Sequence, residues 1–261
     1  IQIMPMMSSR RTIMTLDEMK EYVRGKNVIL VGNSLDAFEK NHGDFIDGHD
    51  VVVRFGKGLT DGIVADKIGS RTDIWVTGQL RMQTVRFVNK STHILFNESL
   101  YNHEIGRPTV PHLSMYTQAE IDAIAAEYNL PEAKRLSAGA ITGHWFYNVC
   151  NTWNTLTFKN FDVFTKALKF KTSHSVDISD GVQYTGSWHL PLLRKETIDP
   201  NYSIEDGNPA HDTATEVAMY QDLLQDGNVI WSGEPPAVKT QELKQDALVL
   251  WTRGRARIEE E

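Results

Sequence analysis

Short apolar runs recur along this chain with helix-patterned stretches between them, and that alternation limits the fold more than any other feature. Val28 to Val31, Val51 to Arg54, Asp73 to Thr77, Thr92 to Phe96, Phe161 to Thr165 and Val229 to Trp231 each have the length and make-up of a strand. Runs such as VILV, with no polar alternation, belong to strands covered on both faces. Between them, Thr15 to Gly25, Leu80 to Asn89, Thr117 to Tyr128, Ser137 to Trp153 and Thr213 to Gln225 read as helices. Thr15 with Glu18, Thr117 with Glu120 and Thr213 with Glu216 have the spacing of capping boxes. Strands alternating with helices of this length imply βαβ units. The expected fold is α/β: a Rossmann-like, mostly parallel sheet with helices on both faces.

The 261 residues suit a single domain, 1–261, with the informative core over 28–231. No Pro/Ser-rich linker and no internal repeat divides the chain. Phe170 to Asn208 carries much turn chemistry and little periodicity, as a functional loop region would. The one cysteine, Cys150, excludes an intrachain disulfide framework and favours a reducing, cytoplasmic setting. No apolar run approaches the ~20 residues of a membrane helix. The N-terminal residues to Arg11 lack the apolar stretch of a signal peptide, although a chain opening on Ile1 leaves room for a trimmed segment. A net charge of −7 argues against a general nucleic-acid coat. Local basic segments, Arg10–Arg11, Lys166 to Lys171 and Arg253 to Arg257, leave a local groove open.

Five segments carry candidate chemistry. VILVGNS, Val28 to Ser34, delivers a strand into Gly32, Asn33 and Ser34, where a bare backbone can approach a phosphate and an amide can donate to it; an ordinary strand-to-turn junction has the same composition. IDGHDVVVR (Ile46 to Arg54) and IGSRT (Ile68 to Thr72) bring Arg54 and Arg71 near Asp47 and Asp50, either as internal ion pairs or as phosphate ligands. LSAGAI opens a helix at Ser137, Ala138 and Gly139, whose unpaired N–H groups suit an anion, while an N-cap serine and a packing glycine account for it equally. GSWH (Gly186 to His189) and HDTATE (His211 to Glu216) supply candidate acid–base histidines; with nine histidines in the chain, most are bystanders, and Glu216 fits a cap. Dinucleotide fingerprint, P-loop, G-x-S-x-G elbow, H-E-x-x-H, EF-hand loop and Asp-x-Asp are all absent from the sequence, so neither a metal nor a resident cofactor is expected.

In this order the segments resemble the sialyltransferases of glycosyltransferase family 29. VILVGNS, IDGHDVVVRF and IGSRTD are similar to the family's long motif. LSAGAITGHWFYNVC is similar to the short motif, with Cys150 placed 11 residues after Gly139. GSWH resembles the third motif, and His211 with Glu216 reproduces the H-x4-E of the very short motif. The resemblance implies an inverting, metal-independent transfer from a CMP-activated sugar to an acceptor hydroxyl. Under it, Gly32, Asn33, Ser34 and Arg54 face the donor, and the Ser137–Ala138–Gly139 backbone cradles the nucleotide. His211 takes the acceptor proton, His189 stabilises the departing phosphate and Glu216 supports the site.

Departures from the pattern carry information. The long-motif cysteine falls at Val28, so Cys150 has no disulfide partner. Gly56 replaces an expected asparagine, and Leu190 and Pro191 replace the aromatics after Trp188–His189. The sugar therefore need not be sialic acid. A small, disulfide-free member of such a family suits a viral or bacterial protein in a cytoplasm, the host's if viral. The partners expected are a nucleotide-sugar donor and either a glycan or hydroxymethylated DNA, with a sugar such as arabinose added to the modified pyrimidine in the second case. A non-catalytic nucleotide-sugar binder is a further alternative.

Overall fold

A computed structural model describes residues 14–32, 40–55, 65–77, 93–97, 112–132, 134–161 and 212–233. Seven strands form one sheet: β1 (Asn27–Val31), β2 (Val51–Phe55), β3 (Ile74–Thr77), β4 (His93–Phe96), β5 (Leu113–Ser114), β6 (Thr155–Lys159) and β7 (Val229–Ser232). All neighbours pair in parallel, in the order β5-β4-β3-β2-β1-β6-β7. β1 is an interior strand, with Val28 opposite Val51 on one side and Leu156 on the other. The expected α/β fold with a Rossmann-like parallel sheet is what forms.

Six helices belong to the described residues: α1 (Leu16–Val23), α2 (Gly43–Asp47), α3 (Ala65–Ile68), α4 (Gln118–Glu127), α5 (Ala138–Asn148) and α6 (Thr213–Leu223). Because successive side chains of a strand face opposite sides, the sheet sorts its core into two layers. Val28, Leu30, Val51, Val53, Leu156 and Phe158 pack with Met19 and Val23 of α1, Ile121 and Ile124 of α4, Trp145 and Phe146 of α5, and Val217 and Leu223 of α6. On the other face Ile29, Val31 and Val52 pack with Ile46 of α2. That double cover is why β1 and β2 read as unbroken apolar runs.

The capping boxes of α1 and α4 form as their spacing predicts. Thr15 accepts from the Glu18 N–H at 3.2 Å and its own N–H donates to the Glu18 carboxylate at 2.7 Å. Thr117 and Glu120 repeat the exchange at 3.3 and 2.7 Å. The N-cap of α6 is not the expected Thr213. Asp212, one residue earlier than Thr213, is the N-cap of α6 and accepts the Thr215 N–H at 2.8 Å. A carboxylate cap satisfies the helix end one position upstream, and Glu216 bonds Ser137 instead.

Two boundaries also differ. The helix expected to reach Trp153 stops at Asn148, since Asn-Val-Cys-Asn-Thr is poor helix-forming sequence. The strand expected at Phe161 to Thr165 is instead Thr155–Lys159, where Leu156 and Phe158 alternate into the core. Residues 162–165 and the helix expected at Leu80 to Asn89 lie outside the described residues. Short α2, α3 and β5 escaped the sequence reading because two to five residues carry no measurable period.

The Asp47 to Asp73 region is a latch. Asp47 accepts from the Ser70 N–H and hydroxyl, both at 2.8 Å, and from the Arg71 N–H at 3.1 Å. Arg71 in turn donates to the carbonyls of Asp47 (2.7 Å) and His49 (2.8 Å) and pairs with Asp73 at 2.9 Å. Asp73 also receives the Val52 N–H at 2.8 Å. The turn before β2 is thus tied to the segment before β3. Burial raises the Asp47 pKa, but the Ser70 and Arg71 hydrogen bonds and the Arg54 charge together bring it below the ordinary 3.8.

A depressed folded pKa means that the latch contributes fully above the ordinary aspartate value and fades as pH falls through the lower one. Asp47→Asn is therefore expected to lower stability at pH 7 by about 1–2 kcal/mol, and to unfold less steeply than wild type on acidification below pH 4. Urea denaturation at pH 7, 4 and 3 measures both effects.

Candidate active site

From β1 the chain builds outward through β2 to β5, then returns to lay β6 on the opposite side of β1. The carboxyl ends of β1 and β6 therefore flank the point where strand order reverses, the place where open parallel sheets bind ligands. Gly32 follows β1, and its N–H donates to the Lys159 carbonyl at 2.8 Å, extending the β1–β6 ladder by one rung. A Cβ on Gly32 would fall well inside contact distance of the Asn160 carbonyl oxygen. Only a glycine lets the two strand ends run this close.

α5 begins above the same edge. Ser137 is its N-cap, with the hydroxyl accepting the Ala140 N–H at 3.2 Å. The first bond along the helix backbone is Ile141 N–H to the Ser137 carbonyl, so the Ala138 and Gly139 N–H groups precede the helical ladder. A Cβ on Gly139 would lie 2.5 Å from the Phe161 ring and 3.1 Å from the Tyr220 hydroxyl. Phe161 is held by Phe55 (centroids 5.7 Å apart), Phe158 (5.5 Å), Trp231 (5.9 Å) and Tyr220 (6.0 Å). Gly139 sets the end of α5 directly on this aromatic floor.

Glu216, 1% exposed, joins the two helix starts. Its Oε1 accepts the Ser137 N–H at 2.7 Å and its Oε2 accepts the Ser137 hydroxyl at 2.8 Å, across 79 residues of sequence. The Ser137 hydroxyl donates to Glu216 while accepting from Ala140, so both capacities are used and its orientation is fixed. A carboxylate at the N-terminal ends of α5 and α6 is also favoured by both helix dipoles.

Other predicted residues are placed differently. Arg54 is 4% exposed, and its guanidinium donates from Nε to the Arg71 carbonyl at 2.7 Å and from Nη2 to the Ile68 carbonyl at 2.6 Å. Burial lowers its pKa to about 10, against the opposing pull of Asp47 and Asp73. Of the two readings open for Arg54, the structure provides the internal one, an extension of the latch. Asn33, Ser34, His189 and His211 lie outside the described residues, as do the three basic segments. Gly32, Ser137, Ala138, Gly139 and Glu216 gather at one edge.

Three features were missed by sequence reasoning. Phe161 and Asn160 were hidden by the misplaced sixth strand, although an Asn directly after an alternating run is a turn signal. His42, before α2, has a pKa lowered by burial and then by the charges of Lys159, Lys40 and Lys67. His144 meets the Tyr116 hydroxyl at 2.9 Å, and burial lowers its pKa. Cys150 is free and wholly buried, its thiol pushed up to about 12 by burial, which makes it an inert core group. Among the described residues, no cluster of three or more His, Cys, Asp and Glu could hold a metal ion, and no helix is long and apolar enough to cross a membrane.

Gly139→Ala tests the floor. Helix propensity favours alanine by about 1 kcal/mol, while forcing a methyl into a ring locked by four others costs about 1–3 kcal/mol. The expected outcome is a net loss of stability. Glu216→Gln keeps one acceptor oxygen but turns its NH2 toward the other Ser137 donor, and is expected to cost about 1–3 kcal/mol, a fall in Tm of several degrees. Thermal melts of both variants measure these effects.

Neither a family model nor a curated protein matches the chain. Solved structures similar to it include a mammalian sialyltransferase in complex with Gal-beta-1-3GalNAc-ortho-nitrophenol, at 16% identity and a TM-score of 0.46, with 82% of this chain and 72% of that one covered. A second mammalian sialyltransferase structure is 14% identical with a TM-score of 0.45, covering 86% of this chain and 81% of the other.

Proposed function

We propose that the protein is a glycosyltransferase that moves a sugar from a nucleotide-activated donor of the CMP type to an acceptor hydroxyl, with inversion and without a metal ion. The observation that carries this reading is the Glu216–Ser137 bond pair. It unites the segment LSAGAI with the segment HDTATE, two of the motifs on which the resemblance rests, at the reversal point of a parallel sheet. Around that bond the available groups are N–H donors and bare glycine backbone, the chemistry that receives a phosphate.

In this reading Gly32, Asn33 and Ser34 meet the donor phosphate or ribose, and the Ala138 and Gly139 N–H groups face its negative charge. His211, one residue ahead of the α6 N-cap, takes the acceptor proton as the new bond forms at the sugar. His189 bonds the leaving phosphate, whose charge grows as its bond to the sugar breaks. Glu216 holds the two helix starts in fixed relation. Arg54 serves by shaping the β2 end. The free, buried Cys150 fits a protein that works in a reducing compartment such as a cytoplasm.

A second acceptor class has an observation of its own. Lys40 and Lys67 lie close enough to His42 for their charges to lower its pKa, despite the net charge of −7. Lysines so placed suit a nucleic-acid backbone, and hence hydroxymethylated pyrimidines in DNA as acceptors. Glycan and modified-DNA acceptors are told apart by direct assay of each.

The test is release of nucleotide from CMP-, UDP- and GDP-sugars, with and without EDTA. Turnover of a CMP-sugar that EDTA leaves unchanged is the expected outcome; turnover only of UDP-sugars, or full inhibition by EDTA, refutes it. His211→Ala is expected to keep nucleotide binding and to lower turnover by about 10²–10⁴-fold. Unchanged turnover in a folded variant would remove His211 from the role of base and favour a different catalytic group, whereas binding without turnover in wild type would favour a non-catalytic binder.

A further inference from the structure

Asn160 stands immediately after β6, at the edge where strand order reverses. Its backbone is left-handed, with φ of 59°. Among the described residues, Asn129 is the other non-glycine with positive φ, and it ends helix α4 with a backbone bond to the Ala126 carbonyl. That is an ordinary helix stop. Asn160 stops no helix. Its carbonyl lies against Gly32 at the end of β1, and the next residue, Phe161, supports Gly139 at the start of α5.

The side chain is as unusual as the backbone. Asn160 is 6% exposed, and its Nδ2 is buried with no hydrogen-bond partner. Folding does not leave a buried amide donor unmet without consequence, and native structures keep few such groups. Asn160 lies against Gly32, whose Cα is bare, and its neighbour Phe161 carries Gly139, where the Ala138 and Gly139 N–H groups precede the helical ladder. N–H donors beside bare backbone complement an oxygen-rich anion.

We infer that the Asn160 side-chain amide is a donor-positioning group, hydrogen-bonding through Nδ2 to a phosphate oxygen of the nucleotide in the nucleotide-sugar. The inference rests on the nucleotide-sugar reading above and adds a residue and an atom to it. It accounts for three features together: the left-handed backbone, the burial and the unmet donor. Asparagine tolerates positive φ better than other residues with a side chain, so it alone combines this turn with an amide.

The test uses Asn160→Gly and Asn160→Asp in the full chain. Glycine adopts the left-handed backbone readily and deletes the amide. Aspartate keeps the shape and replaces the donor with a negative charge. Binding of CMP, UMP and GMP and of their nucleosides is measured by calorimetry, with a thermal melt of each variant. For the nucleotide that wild type binds most tightly, Asn160→Gly is expected to weaken affinity about 10- to 100-fold with no fall in Tm. Asn160→Asp is expected to weaken it further, and affinity for the matching nucleoside is expected to stay unchanged. Nucleotide affinity within twofold of wild type in both variants overturns the inference and leaves the nucleotide-sugar reading standing. An equal loss for nucleoside and nucleotide overturns the phosphate contact, and failure of Asn160→Gly to fold overturns a binding role in favour of a structural one. Wild type that binds none of the nucleotides overturns both readings.

Discussion

Every strand of the sheet runs the same way, and the rest of the molecule follows from that constraint. Parallel strands cannot be joined by hairpins, so each connection must cross from the carboxyl edge back to the amino edge. Those crossings supply the helices that cover the sheet, and they place helix starts and strand ends on one edge. With β2 on one side of β1 and β6 returning to the other, that edge acquires one reversal point. Gly32, Ser137, Gly139, Asn160 and Glu216 come from four separate stretches of chain and meet there because the topology admits no other arrangement.

Much of this was legible in the residues. β1, β2 and β4 could be read because full burial on two faces leaves an uninterrupted apolar signature, and α1 and α4 because their capping boxes mark the first turn. The end of α5 and the place of β6 were less legible. Thr155–Lys159 holds only two large apolar residues, and the preceding Asn-Thr-Trp-Asn sits between a helix pattern and a strand pattern without belonging to either. The cap of α6 was misread because Thr213 and Asp212 both suit an N-cap, and only the tertiary demand of Ser137 for an acceptor decides between them. Contacts between distant segments leave no local trace in a sequence.

The two arginine segments carry the same lesson in the other direction. Arg54 and Arg71 stand in motifs that suit phosphate recognition, yet the groups they bond are carbonyls and carboxylates of their own chain. Five backbone carbonyls around two guanidinium groups hold the β2 and β3 entrances in place. A motif can mark a site by building its wall. The side chains that touch a ligand are then set by that wall and need not belong to the motif.

The bond between Ser137 and Glu216 also has a bearing on how the protein comes into being. Its partners are 79 residues apart, whereas most ladders of the sheet close over shorter spans. The entropy of closing so long a loop must be met before the contact returns anything. During synthesis, β1 through β6 can all have emerged while the start of α5 still lacks its acceptor. The reversal point is therefore completed late, when α6 docks, and the order of translation itself keeps the crevice unfinished until nearly the whole described chain is available.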